Sequence, residues 1–192
     1  MFSQLRPAVL ITIVMTVLTG LIYPLAITGI AQVIFPYQAN GSLAVRNGTA
    51  VGSELIGQAF TKPEYFHPRP SAAGPKGYDA TASGGSNLGP TNPDLAKRIE
   101  KDAAEYRAEN GVTSGIPADA VTTSGSGLDP DISPANALLQ ARRIARARQV
   151  AETEIMALVR KNTKGRELGF MGEPRVNVLQ LNIDLDLQYP MR

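Results

Sequence analysis

PAVLITIVMTVLTGLIYPLAITGIAQVIF, residues 7–35, is the stretch on which the fold of this chain turns. No charged residue occurs between Arg6 and Arg46. About 20 apolar residues carry a helix across the hydrocarbon core of a bilayer, and this run exceeds that with length left for tilt. Pro24 does not argue against a span, because neighbouring helices re-satisfy the backbone groups that a membrane proline frees. Gly20 and Gly29 leave room for another helix to approach, and Tyr23, Phe35 and Tyr37 stand at or near interfacial depth. The expectation is a single N-terminal transmembrane helix, residues 7–35, followed by one soluble domain, residues 40–192. The competing reading is a cleaved secretory signal with Gly29-Ile30-Ala31 as its small-x-small site. Against it, the run is long, continues past that site, and has only Arg6 and the amino terminus before it. Arg6 precedes the span and Arg46 follows it by about ten residues, so the positive-inside rule puts the N-terminus in the cytoplasm and the soluble domain outside.

Beyond the anchor, roughly 150 residues suffice for one compact domain with its own core. With Arg6 set aside, 18 Lys and Arg face 17 Asp and Glu, a balance without a nucleic-acid footprint, so no nucleic-acid partner is expected. There is no Cys, which excludes disulfides, thiolate metal sites and cysteine nucleophiles, and there is a single His. The 18 Gly and 14 Pro fall short of a disordered composition and concentrate in two loops.

After Pro36 the pattern becomes that of an α+β domain with long ordered Gly/Pro/Ser-rich loops. Residues 42–46, the pair Asn47-Gly48 and residues 49–56 read as a short hairpin, since Asn-Gly is the favoured two-residue turn. Residues 61–93 carry no period, but Tyr65, Phe66 and Tyr78 within them predict an ordered, wrapped loop. Asn92-Pro93-Asp94 predicts a capped helix start and Gly111 its end. Leu95, Ile99, Ala103 and Tyr106 give that helix an apolar face; Asp94, Arg98 and Asp102 give it a wet one. A second ordered loop runs from 116 to 132. Ser133 and Pro134 then open a helix bearing Ala137, Leu138, Ala141, Ile144 and Ala145. It breaks near residues 149–152 and resumes through Ile155, Met156 and Val159 to a stop at Gly165. Strict alternation from Gln180 to Leu187 favours a half-buried strand in 176–187, with a short amphipathic helix as the alternative.

Catalytic motifs are absent. There is no phosphate-cradling loop ending in Gly-Lys-Ser/Thr, no HExxH and no GxSxG elbow. His67 lies between Phe66 and Pro68, beside Tyr65. A ring hydrogen-bonded to the loop backbone is favoured there over a triad with Ser86 or Ser126. Asp119, Asp129 and Asp131 with Ser124 and Ser126 bring together oxygens suited to a hard cation, yet their spacing is not that of a calcium loop. Helix capping is the favoured role, and no metal site is expected. Arg142, Arg143, Arg146 and Arg148 form the one dense charge cluster, read first as cations placed toward a helix C-terminus. The sharper reading is a docking face for an acidic partner, a lipid head group or a phosphate. On residue chemistry this is a membrane-anchored domain with no catalytic residue and no specifically bound cofactor.

The segments YFHPRPSAA (65–73), SGGSNLGPTNP (83–93), IPADAVTTSGSGLDPDISPANALLQARRIARAR (116–148) and LGFMGEPRVNVLQLN (168–182), with the N-terminal span, closely resemble the C subunits of Kdp-type potassium-transporting ATPases. One departure is Gln149-Val150, where a Gly-containing break is expected after the Arg-rich helix. The resemblance implies one subunit of a bacterial inner-membrane complex that imports K⁺ with ATP. In that complex a channel-like A subunit carries the ion, a P-type B subunit hydrolyses ATP and a small F subunit stabilises the assembly. It implies a single-pass chain with a periplasmic, non-catalytic domain that stabilises the complex and acts at the extracellular K⁺ entrance, K⁺, ATP and Mg²⁺ being handled by the complex. Asp119, Ser124, Ser126, Asp129 and Asp131, with the 65–93 loop, would then face the pore subunit. The alternative is a catalytic chaperone that raises the ATP affinity of the B subunit. There Ser124, Gly125, Ser126, Gly127 and Gln140 would contact the nucleotide together with the Arg cluster. A stand-alone anchored hydrolase using His67 is the third reading.

Overall fold

The computed structural model describes residues 2–46, 48–113 and 115–191. The chain divides into two compact units, Met1–Leu43 and Ala44–Arg192.

In the first unit, α1 (Leu5–Val17), a π-helical turn (Leu18–Ile22) and α2 (Tyr23–Ile34) run on as one helix, Leu5–Ile34, with no buried residue. At 1.5 Å per residue it is about 45 Å long, against a hydrocarbon core of about 30 Å. It is long and apolar enough to cross a membrane. The π turn has a physical cause. In a regular α-helix the ring of Pro24 would strike the carbonyl four residues back, at Gly20, and a widened turn there relieves the clash. The hydroxyls of Thr12 and Thr19 donate to the carbonyls of Ala8 and Met15, so neither is left unpaired in an apolar surround. A single helical turn, α3 (Pro36–Ala39), follows Phe35.

At the boundary of the two units β1 (Leu43–Arg46) begins, and with β2 (Thr49–Ser53) it forms a two-stranded sheet; β2 ends three residues short of the expected Ile56. Asn47 of the expected turn lies outside the described residues. Residues 54–92 form no helix or strand. In α4 (Pro93–Asn110), the Asn92 side chain accepts from the Asp94 N–H at 2.8 Å and Gly111 takes the left-handed conformation that ends the helix. Its wet face is less regular than expected: Arg98 and Asp102 are half-buried, and the ion pair among its exposed residues is Lys101–Glu105.

α5 (Pro134–Arg148) is capped as the sequence predicts, the Ser133 hydroxyl accepting from the Asn136 N–H at 3.1 Å. Gln149 then adopts φ 57°, the left-handed conformation that glycine usually fills, and its side chain projects into solvent. The chain thus breaks where a Gly-containing break was expected, without the glycine. α6 (Glu152–Lys161) stops before Gly165, because Thr163–Lys164 form strand β4. β3 (Asp131–Ile132), β5 (Arg175–Asn177) and β4 make an antiparallel sheet in the order β3-β5-β4, with Ile132 and Thr163 both opposite Val176.

The 176–187 segment corrects the sequence reading. Only Arg175–Asn177 is a strand; Val178–Gln188 is helix α7. Two patterns overlap in these residues, because Leu181 and Leu185 are four apart and satisfy both periods. The Asn177 side chain caps the N-terminus by accepting from Gln180 N–H, and the buried residues Val178, Leu181, Asn182 and Leu185 follow helical spacing. Leu187, which a strand would have placed inside, is exposed. The core lies between α5, α6, α7 and β5, built from Ile132, Ala141, Ile144, Ile155, Val159, Val176, Leu181 and Leu185, and Phe66 enters it from the long loop.

Candidate functional site

Three of the side chains singled out by the sequence, Gln140, Arg143 and Arg148, converge on the loop around Phe66. Asn136, Gln140 and Arg143 follow one another at helical spacing on α5, and Asn182 and Asp186 do so on α7. Between them runs the backbone of residues 63–67. The Asn182 amide meets the Phe66 backbone twice, accepting from its N–H at 2.9 Å and donating to its carbonyl at 3.0 Å. Gln140 makes the same two-point contact with His67, at 2.7 and 3.0 Å. This is strand-like pairing supplied by side chains, and it satisfies loop backbone that would otherwise be buried without partners.

The two buried arginines complete the grip. Arg143 donates to the carbonyls of Pro63 and Tyr65, to Asn110 Oδ1 at 3.0 Å and to Gln140 Oε1 at 2.9 Å. Burial is the largest influence on its guanidinium and pulls its pKa below the usual value, the nearby Glu109 carboxylate opposing this. Arg148 donates to the carbonyls of Glu64 and Tyr189 and to Asp186 Oδ1 at 2.8 Å, and lies 4.9 Å over the Tyr65 ring. Asp186 also accepts from Arg46 at 2.9 Å and Tyr65 at 3.1 Å. Burial raises its pKa, but the hydrogen bonds from Arg148 and Arg46 outweigh that and hold the carboxyl below its ordinary range. Arg142 and Arg146 lie on the exposed side of α5. The expected cation cluster is therefore split into an inward pair and an outward pair.

His67 is engaged at both ring nitrogens, Nδ1 at 3.0 Å from Glu109 and Nε2 at 2.9 Å from the Lys62 carbonyl. Neither faces Ser86 or Ser126, so the triad is not assembled, and the backbone contact expected of the ring is present. The hydrogen bond from His67 is the main cause of a lowered pKa at Glu109. Asp119 does not cap α5 itself but braces the Ser133 cap, accepting from Ser133 N–H and Oγ at 2.8 and 2.9 Å and from Asn136 Nδ2 at 3.1 Å. Asp129 pairs with Arg69 at 2.9 Å, and Asp131 lies 3.3 Å from Arg175. Burial, with Asp129 adding to it, raises the pKa of Asp131. These three acids line a broad cleft of about 570 Å³, but Arg69 and Arg175 stand in the same wall. Among the described residues no group of three His, Asp or Glu is placed to hold a metal ion.

The two long loops are stitched to each other. Ser71 Oγ donates to the Gly127 carbonyl, Gly84 N–H and Ser83 Oγ donate to the Ser126 carbonyl, and Arg69 reaches the carbonyls of Thr122 and Thr123. Ser124 Oγ lies 3.4 Å from Ser126 Oγ, which accepts from Leu128 N–H. Gly127 leaves no room for a side chain between them. It has φ 66°, and a Cβ there would fall 2.6 Å from the Gly84 carbonyl oxygen and 2.7 Å from Ala73 N. Gly127→Ala is therefore expected to destabilise the domain by at least about 1–2 kcal/mol from the left-handed backbone alone. Chemical denaturation of the full-length chain checks it; an unchanged midpoint would refute the close approach.

Asn182, Asp186, Glu109, Asn136 and Arg69 were not singled out by the sequence. Isolated polar residues in amphipathic stretches read as solvent-facing. What turns Asn182 inward is the backbone of Phe66, which lies 116 residues away in the chain.

The fold and this clamp define an α+β protein in which, among the described residues, one helix long and apolar enough to cross a membrane precedes a domain organised around two interlocked loops. The chain belongs to the family of K⁺-transporting ATPase c chains, whose model matches residues 5–187. It is 62% identical to the Caulobacter vibrioides protein named potassium-transporting ATPase KdpC subunit, over 99% of this chain and 96% of that one. Proteins of the same name from Beijerinckia indica and Rhodospirillum rubrum are 57% and 54% identical over the whole of this chain, covering 98% and 99% of their own lengths.

Proposed function

We propose that this chain is a non-catalytic accessory subunit of an ATP-driven potassium importer of the bacterial inner membrane. In this reading it stabilises the channel-like, P-type and small subunits as one assembly, and its soluble domain acts at the extracellular K⁺ entrance of the pore subunit. The observation that carries this is the inward turn of the polar chemistry. Gln140, Arg143 and Arg148, which a nucleotide-binding role would need outward, are bound to the loop backbone. His67 is held by Glu109 and Lys62. What remains outside is a shaped surface, suited to docking. Asp129 and Asp131 face arginines and Asp119 is bound to the Ser133 cap of α5, so the 119–131 region enters as a contact surface rather than as a ring of free carboxylates. K⁺, ATP and Mg²⁺ are handled by the complex.

The test is topological. The chain has no native Cys, so Ala96→Cys on α4 and Lys161→Cys on α6 each introduce one exposed thiol. A membrane-impermeant maleimide is expected to label both in intact cells. Protection of both until lysis would place the domain in the cytoplasm and overturn the entrance role.

A further inference from the structure

Residues 166–173, Arg-Glu-Leu-Gly-Phe-Met-Gly-Glu, form a small projecting turn that the clamp does not use. Glu167 and Met171 pair as an isolated antiparallel bridge, each N–H donating to the other's carbonyl at 2.9 Å. Gly169 and Phe170 N–H groups close the tip onto the carbonyls of Arg166 and Glu167. Leu168 is held at φ 51°, the left-handed conformation that is unfavourable for a residue with a side chain. Four backbone hydrogen bonds and this strain present three apolar side chains to solvent: Leu168 is 82% exposed, Phe170 70% and Met171 51%.

We propose that this tip is a docking knob for an apolar pocket on another protein subunit of the ATPase. Of the proposed function it takes only membership in the ATPase assembly, and it holds whichever side of the membrane the domain faces. Three observations select a protein pocket. The flanking charges cancel locally, Arg166 with Glu173 at 2.7 Å and Arg175 with Glu167 at 2.8 Å. An anionic lipid surface attracts an excess of Lys and Arg, with Trp or Tyr at the interface, and the tip has neither. Its backbone is fixed in shape, which a fluid bilayer does not require and a preformed pocket rewards. Its area is small. Three side chains offer a few hundred Å² at most, whereas a free-standing specific interface buries about 1,200–2,000 Å². That is too little for a dimer of this chain alone. It is enough for one anchor point in an assembly whose members share a membrane and already meet at high effective concentration.

The experiment replaces Phe170 with photoreactive benzoylphenylalanine in the intact, membrane-extracted complex, and the irradiated product is identified by mass spectrometry. An adduct to another subunit of the ATPase is expected. An adduct to lipid, an adduct to a second copy of this chain, or no adduct would overturn the proposal. In parallel, Phe170→Ser is expected to weaken retention of the chain in the purified complex by about tenfold or more, as for a central interface anchor, with its melting temperature unchanged. Unchanged retention, or a melting temperature that falls in step, would also overturn it. The thiol-labelling result is independent of both readouts.

Discussion

Phe66→Ala is expected to destabilise the soluble domain by about 3–5 kcal/mol, the range for removing a fully enclosed aromatic. Phe66 has no exposed surface and is the largest of the fully buried side chains. It enters the core from a segment without helix or strand, and Asn182 holds its backbone on both sides. The cavity is hard to refill, because that backbone is tied to α7 and the His67 backbone to α5. For a domain of this size the loss corresponds to a fall of roughly 10 °C in melting temperature. Thermal unfolding of the full chain in detergent measures it, with half-buried Phe60 as the comparison: Phe60→Ala should cost clearly less. A loss under about 1 kcal/mol for Phe66→Ala would mean that the 61–93 loop is not part of the core.

Arg148→Met is expected to cost about 3 kcal/mol, near the lower end for removing one partner of a buried ion pair. The guanidinium side chain is only 1% exposed. Its removal orphans the Glu64 and Tyr189 carbonyls and strips the cation from the Tyr65 ring. Asp186 keeps Arg46 and some access to water, which limits the damage. The acid limb of stability should change as well. Because the Asp186 carboxyl is held below its unfolded value of about 3.9, its contribution is complete above that pH and is lost as pH falls through the lowered folded pKa. Without Arg148 that limb flattens. Urea unfolding of wild type and Arg148→Met between acidic and neutral pH checks both effects, and proteolysis within residues 61–93 should quicken in parallel. A variant with native protection of the loop would refute the clamp.

The apolar run with its Pro24, the capping pairs Asn92-Pro93 and Ser133-Pro134, the stop at Gly111 and the family motifs were all legible in the sequence. Each depends on residues within a few positions of one another, where hydropathy and backbone hydrogen-bonding chemistry act locally. Three things only the tertiary structure decided. Residues 178–188 became a helix because Asn177 caps them and the core accepts Val178, Leu181, Asn182 and Leu185 together, a choice the alternating Leu and Ile residues could not reveal. The four arginines of α5 divided into Arg143 and Arg148 inside and Arg142 and Arg146 outside, because a helix turns successive residues to different faces. The loop of residues 61–93 took its shape from Gln140, Arg143, Arg148 and Asn182, whose partners lie 73 to 116 residues away along the chain. Local sequence determines where an element can begin and end; which distant backbone a buried amide or guanidinium meets is settled only when the chain has closed around it.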